Sequence, residues 1–200
     1  MVMMIVSMLR MVEPYLKFYH SVCNVLIDVF GIYAERKMIV LGIDPSLCYT
    51  GFSVIKQEGR TTALLDYGCL TMSSSQSVQQ RIGIFYHHMH EKIIQWHVTV
   101  LVLETPFLGK NAQNFLKLGY LRGIVYLLAE IHHLTLHEFS PREIKQALTG
   151  FGGADKEQIA RIIHQLFPRL PQPVRHDTTD AIAIALCGLW RKNSIFTHRV

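Results

Sequence analysis

From residue 38 onward the chain alternates apolar runs with amphipathic stretches, each closed by turn-forming residues. Met38-Ile39-Val40-Leu41-Gly42-Ile43-Asp44, stopped by Pro45-Ser46, predicts a strand over 39–44. Two more strands are expected at about 50–57 and 62–71, on either side of a turn containing Gly59. Three strands joined so briefly make an antiparallel meander. Residues 76–96 then switch to helical spacing, with Val78, Ile82, Phe85, Met89 and Ile93 near one stripe. Val98-Thr99-Val100-Leu101-Val102-Leu103-Glu104 is continuously β-favouring, as in a central strand covered on both faces by helices.

Beyond it the pattern predicts a helix at about 110–131 and a short strand at 134–139. Ser140-Pro141-Arg142-Glu143 is a helix start, with Ser as N-cap, Pro at the first position and Glu at the third. Gly150-Phe151-Gly152-Gly153 ends that helix, and another is expected over 155–167. After the proline-rich connection Pro168 to Pro173, a last helix begins near Asp177 and carries Ala181, Ile184, Ala185 and Leu189. The order βββαβαβ with trailing helices predicts one α/β domain with a mixed five-stranded sheet flanked by helices. Residues 38–193 are assigned to it and 194–200 to a C-terminal tail. Residues 1–37 are of mixed pattern. They read either as an extension, helical around 13–34 or a misassigned start because Met38 can itself initiate, or as an accessory helix covering an exposed face.

Composition narrows the partners. The 200 residues are 50% hydrophobic, sufficient for one good core, and carry a formal charge of +5. That excess suits a polyanion without requiring one. No apolar run approaches the roughly 18 to 20 residues that span a bilayer. The apolar opening Met1 to Leu9 lacks a small-residue cleavage site, so a cytoplasmic protein away from membranes is expected. Cys23, Cys48, Cys69 and Cys187 form no CxxC pair and read as reduced thiols. Tyr86-His87-His88-Met89-His90 reads as a solvated helix face rather than a metal site, because His87 and His88 diverge on a helix and no further ligand cluster accompanies them.

The chemistry lies in the acids. Asp44 and Glu104 each end a strongly apolar strand and each is followed by a break, Pro45 and Thr105-Pro106. Ligands of open α/β sheets bind outside the carboxyl ends of strands, so these two acids are expected to meet. Asp177 and Asp180, three apart, share one face of a helix whose apolar stripe packs it on the sheet. Asp177, directly after the proline-rich connection, is expected at the helix edge. Four converging carboxylates repel one another unless cations neutralise them, and hard oxygen donors select Mg²⁺ or Mn²⁺. A pair of ions roughly 3.5 to 4 Å apart can clamp the attacking and leaving oxygens of an in-line displacement at phosphorus. Taken singly, each acid is equally a turn, strand-end or helix-start residue; it is their joint placement that points to catalysis.

These residues also resemble a known family. Gly42-Ile43-Asp44-Pro45-Ser46 followed by Thr50-Gly51-Phe52-Ser53-Val54 is similar to the first-strand motif of the RuvC-type Holliday-junction resolvases, which are RNase H-like. Leu103-Glu104 with Phe107, Lys110-Asn111-Ala112, Leu116-Lys117-Leu118-Gly119 and Arg122-Gly123 is a second match, and Asp177-Thr178-Thr179-Asp180-Ala181-Ile182-Ala183-Ile184-Ala185 a third. The three blocks are collinear over about 38–190. Ser46 departs from a common Gly, and Thr105-Pro106 from a more usual polar and apolar pair.

The resemblance implies a metal-dependent, structure-selective endonuclease of recombination and repair. It implies a homodimer that nicks opposed strands of a four-way DNA junction symmetrically and leaves 5′-phosphates. Asp44, Glu104, Asp177 and Asp180 would be the ligands of two Mg²⁺ ions per subunit, with Mn²⁺ as a substitute. Lys145 and Lys156 would lie near the scissile phosphate, Phe107 would stack on bases, and Lys110, Lys117, Arg122 and Arg142 would touch DNA. A RuvA/RuvB-like junction-binding and branch-migration helicase complex is the implied protein partner. Phe115, Leu118, Leu121, Val125 and Leu128 are candidates for the dimer interface or for the core, and Gly119 and Gly123 could permit close helix approach. Two other readings stand beside this one, a junction-binding protein without catalysis and an RNase H-like nuclease for other branched or hybrid nucleic acids. An actin-like kinase, which shares the first motif, needs two large halves that 200 residues cannot supply.

Overall fold

The structure is a computed structural model and describes residues 37–106 and 112–191; the proposed N-terminal extension up to residue 36, its helix at 13–34 and the C-terminal tail lie outside them. The elements are β1 (Met38–Asp44), β2 (Tyr49–Glu58), β3 (Thr61–Thr71), α1 (Val78–Trp96), β4 (Val100–Glu104), α2 (Ala112–Ile131), β5 (Thr135–Phe139), α3 (Pro141–Thr149), α4 (Lys156–Leu166) and α5 (His176–Arg191). They form one five-stranded sheet in the order β3-β2-β1-β4-β5. The meander β1 to β3 is antiparallel, and β4 and β5 run parallel to β1.

Local chemistry accounts for most boundaries. Ser77 with Gln80, Ser140 with Glu143 and Asp155 with Gln158 each form a reciprocal capping box at a helix start. Gly150, at φ 76°, takes the left-handed conformation that ends α3, where a Cβ would be strained. Strand β4 begins two residues later than its apolar run suggests. Val98 is used to finish α1, its amide donating to the Ile93 carbonyl at 3.1 Å.

Strand alternation divides the core in two. Ile39, Leu41, Ile43, Leu101 and Leu103 pack with Phe85, Met89 and Ile93 of α1 and Leu121, Val125 and Leu128 of α2. Val40, Val100 and Val102 face the other way, toward Ile144, Ile159, Ile163 and the buried stripe of α5. Asp44 and Glu104 continue this second set, so alternation alone puts both acids on the α5 side.

The histidine run is not the uniformly solvated face expected of it. His87 is exposed, but His88 packs edge-on against Phe52 with ring centroids 4.9 Å apart, and His90 Nδ1 lies 2.9 Å from His132 Nε2 at the contact of α1 with α2. Five consecutive residues cover more than a full turn, so part of the run must turn inward. Among the described residues no helix is long and apolar enough to cross a membrane.

Candidate active site

Backbone pairing brings the first two acids together. Gly42 pairs with Val102 and Ile43 with Leu103 in the parallel register, so Asp44 and Glu104 sit side by side at the carboxyl ends of adjacent strands. The turn after Asp44 is held by Thr50, whose hydroxyl donates to the Ser46 carbonyl at 2.7 Å and accepts from the Ser46 amide at 3.1 Å. Beyond Glu104 the sheet pairing continues for one residue, the Thr105 amide donating to the Phe139 carbonyl at 2.8 Å.

Helix α5 supplies the other two acids, and it lies almost backbone to backbone on the sheet. A Cβ on Gly42 would come within 2.5 Å of the Ala181 carbonyl oxygen and 2.6 Å of the Ala185 nitrogen. On Gly51, which pairs with Asp44, it would run into the main-chain carbonyl of Asp177. The fully buried Ser53 hydroxyl donates to the Ala181 carbonyl at 2.9 Å. Glycine beneath alanine therefore sets the height of the helix and holds Asp177 and Asp180 above the strand ends. The sequence blocks contained both glycines; that they serve this contact was not apparent from spacing.

The electrostatics follow from this crowding. Burial, then the charges of Asp180, Glu104 and Asp177, push the Asp44 carboxyl up to about 7, while Lys156 opposes the rise. Burial and Asp180 also raise Glu104, against Lys156 and Lys145. Two of the acids have turned to cations, Asp180 Oδ2 lying 3.4 Å from Lys156 Nζ and Asp177 Oδ2 3.4 Å from Arg175 Nη2. In that arrangement no three acidic, histidine or cysteine side chains among the described residues stand at ligating separation. The donor set is nevertheless hard oxygen, partly buried and short of positive charge, which matches the chemistry of Mg²⁺ or Mn²⁺.

Lys145 and Lys156 line a cleft of about 270 Å³ together with Glu104, Asp180, Pro141 and Ile144. Arg142 is exposed at the start of α3, its stem against Gly152. Arg122 is placed differently from a surface DNA contact. Its side chain is only 11% exposed, donates to the Glu104 main-chain carbonyl at 2.8 Å, and is ion-paired with Glu138 of β5, which also accepts from the Tyr126 hydroxyl. The guanidinium thus anchors the strand end that carries Glu104. Lys117 is half-buried on α2, and Phe107 and Lys110 lie outside the described residues.

Leu121, Val125 and Leu128 are fully buried in the chain's own core, whereas Phe115 is exposed and Leu118 half-buried. The solvent side of α2 shows Leu116, Tyr120, Gly123 and Leu127 instead, and a Cβ on Gly119 or Gly123 would meet nothing within 4 Å. Sequence reasoning also missed Arg175, Cys69 and Tyr49 at the Asp177 edge. Cys69 Sγ lies 3.9 Å from Asp177 Oδ2, and Arg175 stacks on the Tyr49 ring. Arg175, two residues before an expected metal ligand, was the one available signal.

Comparison with known proteins places this geometry. The family model for the crossover junction endodeoxyribonuclease RuvC matches residues 40–188. A crossover junction endodeoxyribonuclease RuvC of Pelodictyon phaeoclathratiforme is 43% identical over 157 residues, covering 78% of this chain and 82% of the relative. The structure of Thermus thermophilus RuvC in complex with a Holliday junction substrate superposes with a TM-score of 0.73 at 26% identity, covering 78% of this chain and 94% of that one. The yeast mitochondrial Holliday junction resolvase Ydc2, at 12% identity and a TM-score of 0.58 over 76% of this chain and 78% of that one, shares the fold. The mixed sheet anticipated as RNase H-like is the sheet of these resolvases.

Proposed function

The chain belongs to the crossover junction endodeoxyribonuclease RuvC family, and from that premise we propose that it resolves four-way DNA junctions by paired, symmetric nicks that leave 5′-phosphates. The observation that carries the reading is the gathering of Asp44, Glu104, Asp177 and Asp180 at one sheet edge, with Asp44 pushed up to about 7 by burial and by the neighbouring acids, and two lysines lining the adjoining cleft.

In this reading the four carboxylates would hold two Mg²⁺ ions, replaceable by Mn²⁺, which when bound would supply activation of water and charge stabilisation for the departing 3′ oxygen. The chain's own residues do the rest. Asp44 and Glu104 are fixed by strand pairing and by the Arg122 anchor, so they face the phosphate with little reorganisation. Asp177 and Asp180 are set by the glycine contacts under α5. Lys156 and Lys145, on the Asp180 side, stand where they would meet the non-bridging oxygens and the charge that builds on them. Phe107, just past β4, is proposed as the base-stacking residue, with Lys110, Lys117 and Arg142 toward the DNA arms.

Paired nicking needs two sites. The exposed stripe Leu116, Tyr120, Gly123 and Leu127 recurs at helical spacing, and the open glycines let another backbone approach. A second copy of the chain docked there by α2 makes the homodimer. We place the protein in the cytoplasm as part of the same proposal, delivered to junctions by a RuvA/RuvB-like branch-migration complex.

The test is cleavage of a synthetic four-way junction and of a matched linear duplex, each with and without Mg²⁺. Wild type is expected to nick the junction in Mg²⁺ and leave the duplex intact, and Asp44→Asn to lose roughly three orders of magnitude in rate, the equivalent of several kcal/mol. Equal cutting of both substrates would remove the junction reading, and undiminished cutting by the variant would remove the metal site.

A further inference from the structure

At the Asp177 edge of the site stands a cation that the reaction leaves unused. The backbone of Arg175 is fixed at the start of α5, because its carbonyl accepts from the Thr178 amide at 3.1 Å, the Thr179 amide at 3.2 Å and the Thr179 hydroxyl at 3.1 Å. Its side chain turns back over the first residue of β2 and lays the guanidinium 4.5 Å from the centroid of the Tyr49 ring. One Nη2 lies 3.4 Å from Asp177 Oδ2. Both partners are open to solvent, Tyr49 at 45% and the Arg175 side chain at 54%.

This arrangement suits an incoming phosphate. A guanidinium has five N–H donors in one plane, and stacking on an aromatic ring engages its face while leaving the donor edge available. Asp177 takes one donor at long range, in an exposed pair that water screens. The remaining edge can meet a phosphate in two parallel hydrogen bonds, the geometry in which arginine surpasses lysine. The ring holds the long side chain in one orientation before any ligand arrives, which lowers the entropy lost on binding. The position completes a pattern. Lys145 and Lys156 flank the acids on the Asp180 side, and Arg175 is the cation on the Asp177 side.

We propose that Arg175, held by Tyr49, is a phosphate-binding residue that grips the DNA strand on the Asp177 side of the active site. The inference rests on the proposed reading of the chain as a DNA junction endonuclease. It adds a contact that reads no sequence and fixes the strand's path across the carboxylates.

The experiment measures binding of the full chain to a labelled synthetic four-way junction in EDTA, so that nothing is cut, across a series of salt concentrations. Arg175→Gln is expected to weaken binding by roughly three- to tenfold and to lower the slope of log affinity against log salt by about 1, the signature of one lost phosphate contact. Tyr49→Ala should show part of that loss, and Tyr49→Phe, which keeps the ring, none. Thermal melting within a few degrees of wild type for each variant keeps the comparison among folded proteins. An unchanged slope in Arg175→Gln, with only the Mg²⁺ concentration needed for cutting altered, would make Arg175 a counter-ion of Asp177 and overturn the inference alone. Failure of the wild type to bind the junction would overturn the proposed function and this inference with it.

Discussion

The two faces of the sheet bury apolar surface in different ways. On the α1 and α2 side the contact is made by large side chains, with Phe85, Met89, Leu101, Leu103, Leu121 and Leu128 fully buried. On the α5 side the central contact is nearly backbone on backbone, with Gly42, Gly51 and Ser53 under Asp177, Ala181 and Ala185. Long side chains can change rotamer to absorb a substitution, whereas a main-chain contact has no such freedom. The four acids stand on the side without slack. A site that must hold like charges together gains from a scaffold that cannot relax them apart, and the softer face supplies none of the four acids, reaching them through the Arg122 anchor of α2.

The largest expected effect tests that rigidity. Gly51→Val places carbon atoms where the Asp177 carbonyl lies, and the strand cannot move without breaking its pairing with β1 and β3. The loss of stability is expected to exceed the ~1–3 kcal/mol of ordinary overpacking. Urea unfolding measures it, and a loss under about 1 kcal/mol would mean that α5 can lift and that the two faces do not differ.

Next in size is the strain carried by the acids. Asp44 has an ordinary carboxyl value of 3.8 and is raised to about 7 in the folded chain, so folding favours its protonated form. Its contribution to stability is complete below pH ~4 and is lost as pH rises through ~7, a span of about three units or roughly 4 kcal/mol. In chelator, Asp44→Asn should therefore match wild type near pH 4 and exceed it increasingly up to pH 8. Mg²⁺ should restore the wild type at pH 8 and leave the variant unchanged. Parallel melting curves across the whole pH range would contradict the account.

The smallest effect belongs to the softer face. Met89→Leu, a near-isosteric change among large neighbours, is expected to cost less than about 1.5 kcal/mol and to leave junction cleavage within twofold of wild type. A tenfold fall in rate at unchanged stability would show that packing under α1 also reaches the site.

Much of this was present in the order of residues. Apolar runs ended by Asp44 and Glu104, the Ser140 and Gly150 boundaries of α3, and the shared helical face of Asp177 and Asp180 depend on local periodicity and turn chemistry, which a linear reading captures. The same periodicity could not separate core from surface on α2, where Leu121, Val125 and Leu128 turned inward and Leu116, Tyr120 and Leu127 outward, because the helix is apolar nearly all round. Nor did it reveal that Arg122 would anchor the Glu104 carbonyl, that Gly51 would lie under Asp177, or that Arg175 would stack on Tyr49. Those pairs lie 18, 126 and 126 residues apart in the numbering. Sequence determined which residues carry the charge and which elements present it, because both follow from near neighbours along the chain. Only the tertiary structure decided how closely the acids approach, and which cations face them, because those depend on the crossing of α5 over β1 and β2.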